Sequence, residues 1–420
     1  MDGFINYGQS LYSVYILSTL GYKIQVNRMN TNIIIAIIAV AAIAGVGGAY
    51  VIMSGGDSSS AEKAQNVACE PYSVTDLAGQ EYTFDHTFGA VAVQWSISGG
   101  PFITMAALLG DKLPDYLVGI DTTPIAYRAD SWNEFCKQMP ALKDLVCYGD
   151  CDNDWDTTKA LTLKPNALIA SKDMKTTIES KNIDKDFKDA GIPVIYIDFH
   201  SQDVTKSAAS IRLLGKIFGV SERAEQLATM YETKCNAVYS QIDALITANG
   251  GRISVYNETP MYSPAQFGKS RANNQVMGQL LYNCGGNNIN ETSGTLDSAK
   301  VLSSDPEKIF FFGSYWPDNP DSFRVGFGVT DADINASIEK YFTDRNWKGL
   351  QSYTSGEVYG MGMCLTRDVY DFCSLEYIAK ALWPTAFSSL DPVKDLQDFY
   401  KDWMPFDYSG AWYHKLELAA

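Results

Sequence analysis

Histidine is scarce in this chain: three residues, His86, His200 and His414, among 420. Protein sites for zinc, copper or manganese lean on clustered imidazoles, so three dispersed histidines argue against a resident metal centre. Positive charge is also short. Lys and Arg total 33 against 49 Asp and Glu, for a formal charge of −16, which argues against nucleic acid or an anionic membrane surface as partner. Recognisable catalytic motifs are missing too. No Gly-x-Ser-x-Gly elbow occurs. Gly268-Lys269-Ser270 resembles the end of a phosphate loop, but Ser263 stands where its first glycine belongs. Cys147-x-x-x-Cys151 has no Cys-x-x-Cys partner. Asp150-Cys151-Asp152-Asn153-Asp154 lacks the glycine and distal glutamate of an EF-hand and reads as an acidic turn. No catalytic residue, bound metal or resident cofactor is expected.

Charge is absent altogether between Arg28 and Asp57. Within that gap Ile33 to Met53 forms a continuous apolar run of 21 residues, long enough to cross a bilayer as a helix. Lys23 and Arg28 precede it, and Asp57 and Glu62 follow, so the positive-inside bias places the bulk of the chain outside. The run is long for a cleaved signal core, and we read 29–54 as an uncleaved anchor. Residues 1–28 carry no clear pattern, and Met29 is an alternative start. Residues 55–66 are a Gly/Ser-rich tether. Eight cysteines, 69, 136, 147, 151, 235, 284, 364 and 373, leave local pairings open among 136, 147 and 151 and between 364 and 373. Asn257, Asn290 and Asn335 begin glycosylation sequons, consistent with an exterior address.

From 67 onward the pattern is globular. Ser221 to Ala248 reads as one unbroken helix. Ala224, Leu227, Tyr231, Cys235, Val238, Ile242 and Leu245 recur every three or four residues on one face, Ser221 is a capping residue, and Asn249-Gly250-Gly251 stops it. At ~1.5 Å per residue it is ~40 Å long, about twice an ordinary crossover helix. On either side, short apolar strands alternate with helical stretches, which is the rhythm of parallel α/β sheets. The first set of strands is Ala90–Trp95, Tyr116–Ile120, Ala167–Ala170 and Val194–Phe199; the second is Ile253–Tyr256, Lys308–Gly313 and Glu357–Gly360. The expected fold is α/β: two parallel-sheet lobes, 67–220 and 250–420, joined by one long bridging helix (221–249) and preceded by the transmembrane helix. A long crossover within one large sheet is the alternative. Ligands sit at the carboxyl ends of such strands. The strand-end segments are rich in Trp, Tyr, Met and amide groups, which suits a bulky ligand held by stacking and hydrogen bonds.

Several segments, in the same order along residues 74–405, resemble the substrate-binding proteins of ABC importers for vitamin B12 and iron–siderophore complexes, whose lobes are bridged by a long helix. They are Asp76-Leu77-Ala78-Gly79-Gln80, Leu161 to Ile169, Gly191-Ile192-Pro193-Val194, Asn274-Gln275-Val276, Cys284-Gly285-Gly286-Asn287-Asn288-Ile289 and Ser304 to Ile309. The resemblance implies a monomeric, extracytoplasmic protein that captures a metal chelate (a ferric siderophore, haem or corrinoid) for an ABC permease and ATPase. The ligand set expected from it comprises Trp95, Tyr256 and Trp316 as stacking faces, Arg128, Arg324 and Arg367 meeting carboxylates, and Ser96, Tyr127, Asn257, Tyr315 and Met361 from neighbouring strand ends. The family docks through an acidic residue on each lobe. Thr158 and Ala299 occupy those positions here, and Asp154, Asp156 or Asp297 substitute for them. The rival reading is a membrane-anchored hydrolase or redox enzyme on the same scaffold.

Overall fold

A computed structural model describes residues 63–418. The N-terminal extension, the apolar run expected as an anchor at 29–54 and most of the expected tether lie outside the described residues. No helix among the described residues is long and apolar enough to cross a membrane.

The chain opens with an antiparallel hairpin, β1 (Val67–Thr75) and β2 (Glu81–Thr87). Its turn is Asp76 to Gln80, where the Asp76 carboxylate accepts from the Ala78 and Gln80 amides at 2.9 Å. Three parallel strands follow in the order β3 (Ala92–Val93), β6 (Leu168–Ser171), β7 (Val194–Ile197). A second parallel pair, β4 (Gly119–Ile120) and β5 (Val146–Cys147), continues this layer through the Val91–Leu117 bridge. The second sheet has five strands in the order β12 (Tyr413–Lys415), β11 (Val358–Gly362), β10 (Lys308–Gly313), β8 (Ile253–Glu258), β9 (Gly286–Asn288). All its pairs are parallel except β11–β12.

Between the two sheets runs the unbroken 28-residue helix Ser221–Ala248. It buries Ala224, Leu227, Ala228, Tyr231, Cys235, Val238 and Ile242, so the stripe read from spacing is the packed face. Ser221 is its first residue rather than its cap. Val220 occupies the cap position, without a side-chain bond, and its amide bonds the Gly215 carbonyl at 2.8 Å. At the far end the Gly251 amide closes on the Ile246 carbonyl at 3.0 Å. The preceding helix Val204–Ile217, capped by the Asp203 carboxylate, lies against it. Arg212 clamps the pair through bidentate bonds of 2.8–2.9 Å to Glu225 and Glu232. Lys234 reaches Asp395 at 2.8 Å and Glu376 at 3.5 Å, fastening the long helix to the second lobe.

The lobes share more than the helix. One apolar cluster joins Phe102 and Phe135 of the first lobe with Phe327, Phe406 and Trp412 of the second. Each lobe also keeps its own outer cluster, around Phe187 and Tyr196 in the first and around Phe311 and Trp347 in the second. Residues 63–418 therefore pack as a single compact unit, tighter than two bodies held apart by a rod. All eight cysteines are free thiols, so the local pairings left open by the sequence are not formed. Asn257 and Asn290 are buried, which removes them as glycosylation acceptors.

Candidate functional site

The carboxyl ends of the two sheets face each other. From the first lobe, β3 delivers Trp95, β6 delivers Ser171 and Asp173, and β7 delivers Asp198 and His200. Trp95 sits at φ +54°, a left-handed conformation unusual for a side chain of that size. The loop behind it must be tight. A Cβ on Gly100 would lie 2.2 Å from the Trp95 carbonyl, and one on Gly99 would lie 2.2 Å from the His200 ring. Only glycine lets that turn press against the imidazole. The Gly99 amide then crosses to the second lobe, donating to Asp368 Oδ1 at 3.2 Å.

The second lobe contributes three arginines. Arg271 follows β8, held by Asn257: its amide donates to Asn257 Oδ1 at 2.9 Å, and its carbonyl accepts from Asn257 Nδ2 at 2.8 Å. Arg324 lies 4.1 Å over the Tyr315 ring. Arg367 follows β11 and is buried.

The electrostatics place Arg271, Arg367, His200 and Asp173 in one neighbourhood. Burial, then Arg367 and Arg271, hold the His200 imidazole well below its ordinary range, so it is neutral. Burial lowers Arg367 to about 10, with Asp368 opposing and Arg271 adding to the shift. Burial also lowers Arg271, against the pull of Asp173. Asp173 is itself raised by burial, against Arg367. His200 Nδ1 lies 3.2 Å from Ser171 Oγ and Nε2 lies 4.0 Å from Asp173. The Nε groups of Arg271, Arg324 and Arg367, His200 Nε2 and Trp95 Nε1 have no hydrogen-bond partner among the described residues. Buried polar groups are normally satisfied, so Arg271 Nε, Arg367 Nε and His200 Nε2, which act on one another across the two lobes, mark the cleft. Three surface cavities of 510, 600 and 550 Å³ lie elsewhere, and none is lined by these residues.

Some residues expected at the site are not in it. Tyr256 is fully buried: its hydroxyl donates to Glu258 at 2.9 Å and its ring meets Trp347 edge-on. Met361 is equally buried. The reason is strand length. Both strands run two residues beyond the ends read from sequence, so Tyr256 and Met361 are interior positions and the loop residues reaching the cleft lie further on, at Arg271 and Arg367. Asn257 serves as the clasp on Arg271 rather than as a contact. Trp316 is 3 % exposed, a core ring rather than a stacking face. Ser96 is buried on Asp121, which burial pushes up to about 6. Arg128 is 1 % exposed and acts between the lobes: it sits 3.6 Å from Asp130, bonds Ser131 and lies 5.7 Å from the Trp412 ring. Tyr127 and Tyr315 are half-buried, and the Tyr127 carbonyl accepts from Ser314 across the seam at 2.8 Å. Sequence reading missed Arg271, which lies in an irregular loop with no periodicity to point to it.

The acidic residues named for docking are all exposed. Asp156 caps the helix Thr157–Thr162, accepting from the Lys159 amide at 2.8 Å. Asp297 caps Ser298–Ser304 in the same way, from Lys300 at 2.7 Å. Asp154 accepts from the Asp150 amide at 2.9 Å.

No protein-family model and no curated protein matches the chain. Among solved structures, the TroA-like periplasmic binding protein FepB from Veillonella parvula is 32 % identical, covering 83 % of this chain and 100 % of that one, with a TM-score of 0.79. The chain belongs to the TroA-like periplasmic binding proteins. That is the bridged substrate-binding class its motifs resemble, a family of binding proteins rather than enzymes. Two more distant members share the fold. A periplasmic solute-binding protein from Veillonella parvula DSM 2008 is 19 % identical over 81 % of this chain and 94 % of that one, with a TM-score of 0.59. The molybdate-binding protein MolA of Haemophilus influenzae is 15 % identical over 81 % and 99 %, with a TM-score of 0.56.

Proposed function

We propose that the chain captures a metal chelate (a ferric siderophore, haem or corrinoid) in the cleft between its lobes and delivers it to an ABC permease and its ATPase. The observation carrying this reading is the meeting of His200 from the first lobe with Arg271 and Arg367 from the second, each with a buried ring or guanidinium nitrogen that has no partner among the described residues. Trp95 and Tyr315 supply stacking faces, and Arg324 and Arg367 meet ligand oxygens. The FepB-type relative supports the transport role. The molecule works as a monomer on the outer side of a membrane, tethered by the apolar run 33–53. Docking uses the helix-capping carboxylates Asp156 and Asp297, one per lobe, with Asp154 beside the first; a capping carboxylate retains a free oxygen for a permease arginine. The test is a tryptophan-fluorescence titration of the purified chain with haem, cyanocobalamin and several ferric siderophores. Saturable quenching by one of them is expected, and no response to any of them would overturn the proposal.

A further inference from the structure

The outer edge of the second sheet carries a cavity that chelate capture does not use. It measures about 510 Å³ and lies between β12, the helices Asp371–Leu382 and Pro392–Trp403, and the start of the helix Asp331–Asp344. We propose that it is a second ligand site, for a small organic amine bound as its ammonium ion by Asp331, His414 and a wall of tyrosines. The site is independent of the cleft, since none of the cleft residues named above lines it.

The tautomer of His414 follows from its neighbours. Asn335 Nδ2 donates to the Glu417 carbonyl at 3.1 Å, and Asn335 Oδ1 accepts from the Glu417 amide at 2.8 Å. Those two backbone groups fix which end of the Asn335 amide is oxygen. His414 Nε2 lies 3.1 Å from that oxygen, so it carries the hydrogen that bonds it. In the neutral ring Nδ1 is then a bare acceptor, and it faces a second acceptor, Asp331 Oδ1, at 3.5 Å. The His414 side chain is 7 % exposed, whereas Asp331 stands 73 % exposed at the rim. Two acceptors opposed in this way lack a donor, and a ligand N–H placed beside them satisfies both. A proton on Nδ1 would do the same without a ligand, and the test below separates the two. Asp331 is not spent on its own helix, because Thr330 and Asp333 cap that end reciprocally.

The walls suit a cation. Tyr377 stacks on Tyr413 at 4.7 Å, and Tyr377 and Tyr408, both half-buried, line the cavity. Aromatic faces attract an ammonium group. The Tyr377 hydroxyl has no partner among the described residues. Burial and then Asp331 push the Tyr408 hydroxyl up to about 12, so the carboxylate acts across the same space. Glu417 adds a second acid to the lining. Lys415 is the one cation there, and it is committed to Glu357 at 2.7 Å. The lining therefore presents net negative charge over aromatic faces, and the chain's overall −16 draws cations toward it. A metal ion fits less well, because no three metal-ligating side chains converge among the described residues.

The experiment is isothermal titration calorimetry of the full chain with phenethylamine, spermidine, tetramethylammonium and 2-phenylethanol. One or both amines should bind saturably at a single site. The alcohol has the shape of phenethylamine without its charge, and tetramethylammonium has the charge without an N–H; each should bind about tenfold weaker or worse than the better amine. Asp331→Asn should weaken amine binding about tenfold or more, and Asp331→Glu should lose less. Tyr408→Leu should weaken it about threefold to tenfold. Arg367→Gln, in the cleft, should leave it unchanged. Circular dichroism melting confirms that each variant folds. No saturable binding of either amine, equal binding of the alcohol, unchanged affinity in Asp331→Asn, or a loss in Arg367→Gln would each overturn the inference. Chelate capture in the cleft stands or falls separately, on the titration with haem, cyanocobalamin and ferric siderophores.

Discussion

Glu258 and Arg345 form a fully buried ion pair beneath the loop that carries Arg271. Arg345 Nη1 and Nη2 meet the two carboxylate oxygens at 2.6 and 2.9 Å, and the side chains are 1 % and 0 % exposed. The network is saturated. Glu258 also accepts from the Tyr256 hydroxyl at 2.9 Å and the Gly268 amide at 2.6 Å, and Arg345 Nε donates to the Pro264 carbonyl at 2.7 Å. The guanidinium is flanked by Phe267 at 4.2 Å and by Tyr341 and Trp347 at 4.8 Å. Removing one partner strands the other charge in a dry site, which costs about 3–5 kcal/mol. The two lobes melt as one unit of about 360 residues, in which each kcal/mol moves Tm by about 1–2 °C. Arg345→Met and Glu258→Leu should therefore each lower Tm by about 3–10 °C. The double variant should lose less than the sum of the two, because no uncompensated charge remains. Both single variants should also weaken chelate binding, since the loop loses its anchor at Gly268, three residues before Arg271. Circular dichroism melting reads the first effect and fluorescence titration the second. Single variants within 1–2 °C of the parent, or a strictly additive double variant, would refute the reasoning.

Burial and the neighbouring Asp395 push Glu376 up to about 8, and burial pushes Asp371 up to about 7. Both titrate near 4 in the unfolded chain, so the stability they contribute is complete below about pH 4 and is lost as the pH climbs toward 7–8. Tm should fall between pH 5 and pH 8, and Glu376→Gln should flatten that fall; a Tm that rises over this range contradicts the assignment. A Cβ on Gly215 would lie 2.0 Å from that of Ala224, so Gly215→Ala should force the helix Val204–Ile217 off the bridging helix, at a cost of about 1–3 kcal/mol in denaturant titration; an unchanged midpoint counts against the close packing. Spin labels at the exposed positions 158 and 299 should report an interlobe distance that shifts by only a few ångström when ligand binds, because the helix and the shared core resist hinge motion; a large closure contradicts that rigidity.

The long helix was legible because its signal is periodic and local: seven apolar residues on one face, with a Gly-Gly stop behind them. Its cap was misread because Ser221 looks like an N-cap, whereas the chain turns at Gly219 (φ +71°) and starts the helix one residue earlier. The parallel strands were legible as apolar runs, but β9 and β12 were not: Gly286–Asn288 has no apolar pattern, and Tyr413–Lys415 is a three-residue edge. The site was only partly legible. Arg367 could be guessed from its place after an apolar strand. Arg271 could not, because the contact that positions it, Asn257 across 14 residues, is tertiary. Arg128 reads as a ligand contact, yet it lies between the helices Thr123–Tyr127 and Ala129–Gln138, and its burial against Asp130 and Trp412 makes it a joint between the lobes. Side-chain direction at a strand end depends on where the strand stops, and a shift of two residues was enough to move Tyr256 and Met361 into the core.

The most direct test of the account is native mass spectrometry of the purified chain mixed in turn with a ferric tris-catecholate, ferric citrate, haem, ferrioxamine B and cyanocobalamin. The account predicts a single 1:1 adduct with one of these chelates that survives dilution into the nanomolar-to-micromolar range expected of a preformed cleft. Unbound protein in every mixture would contradict it.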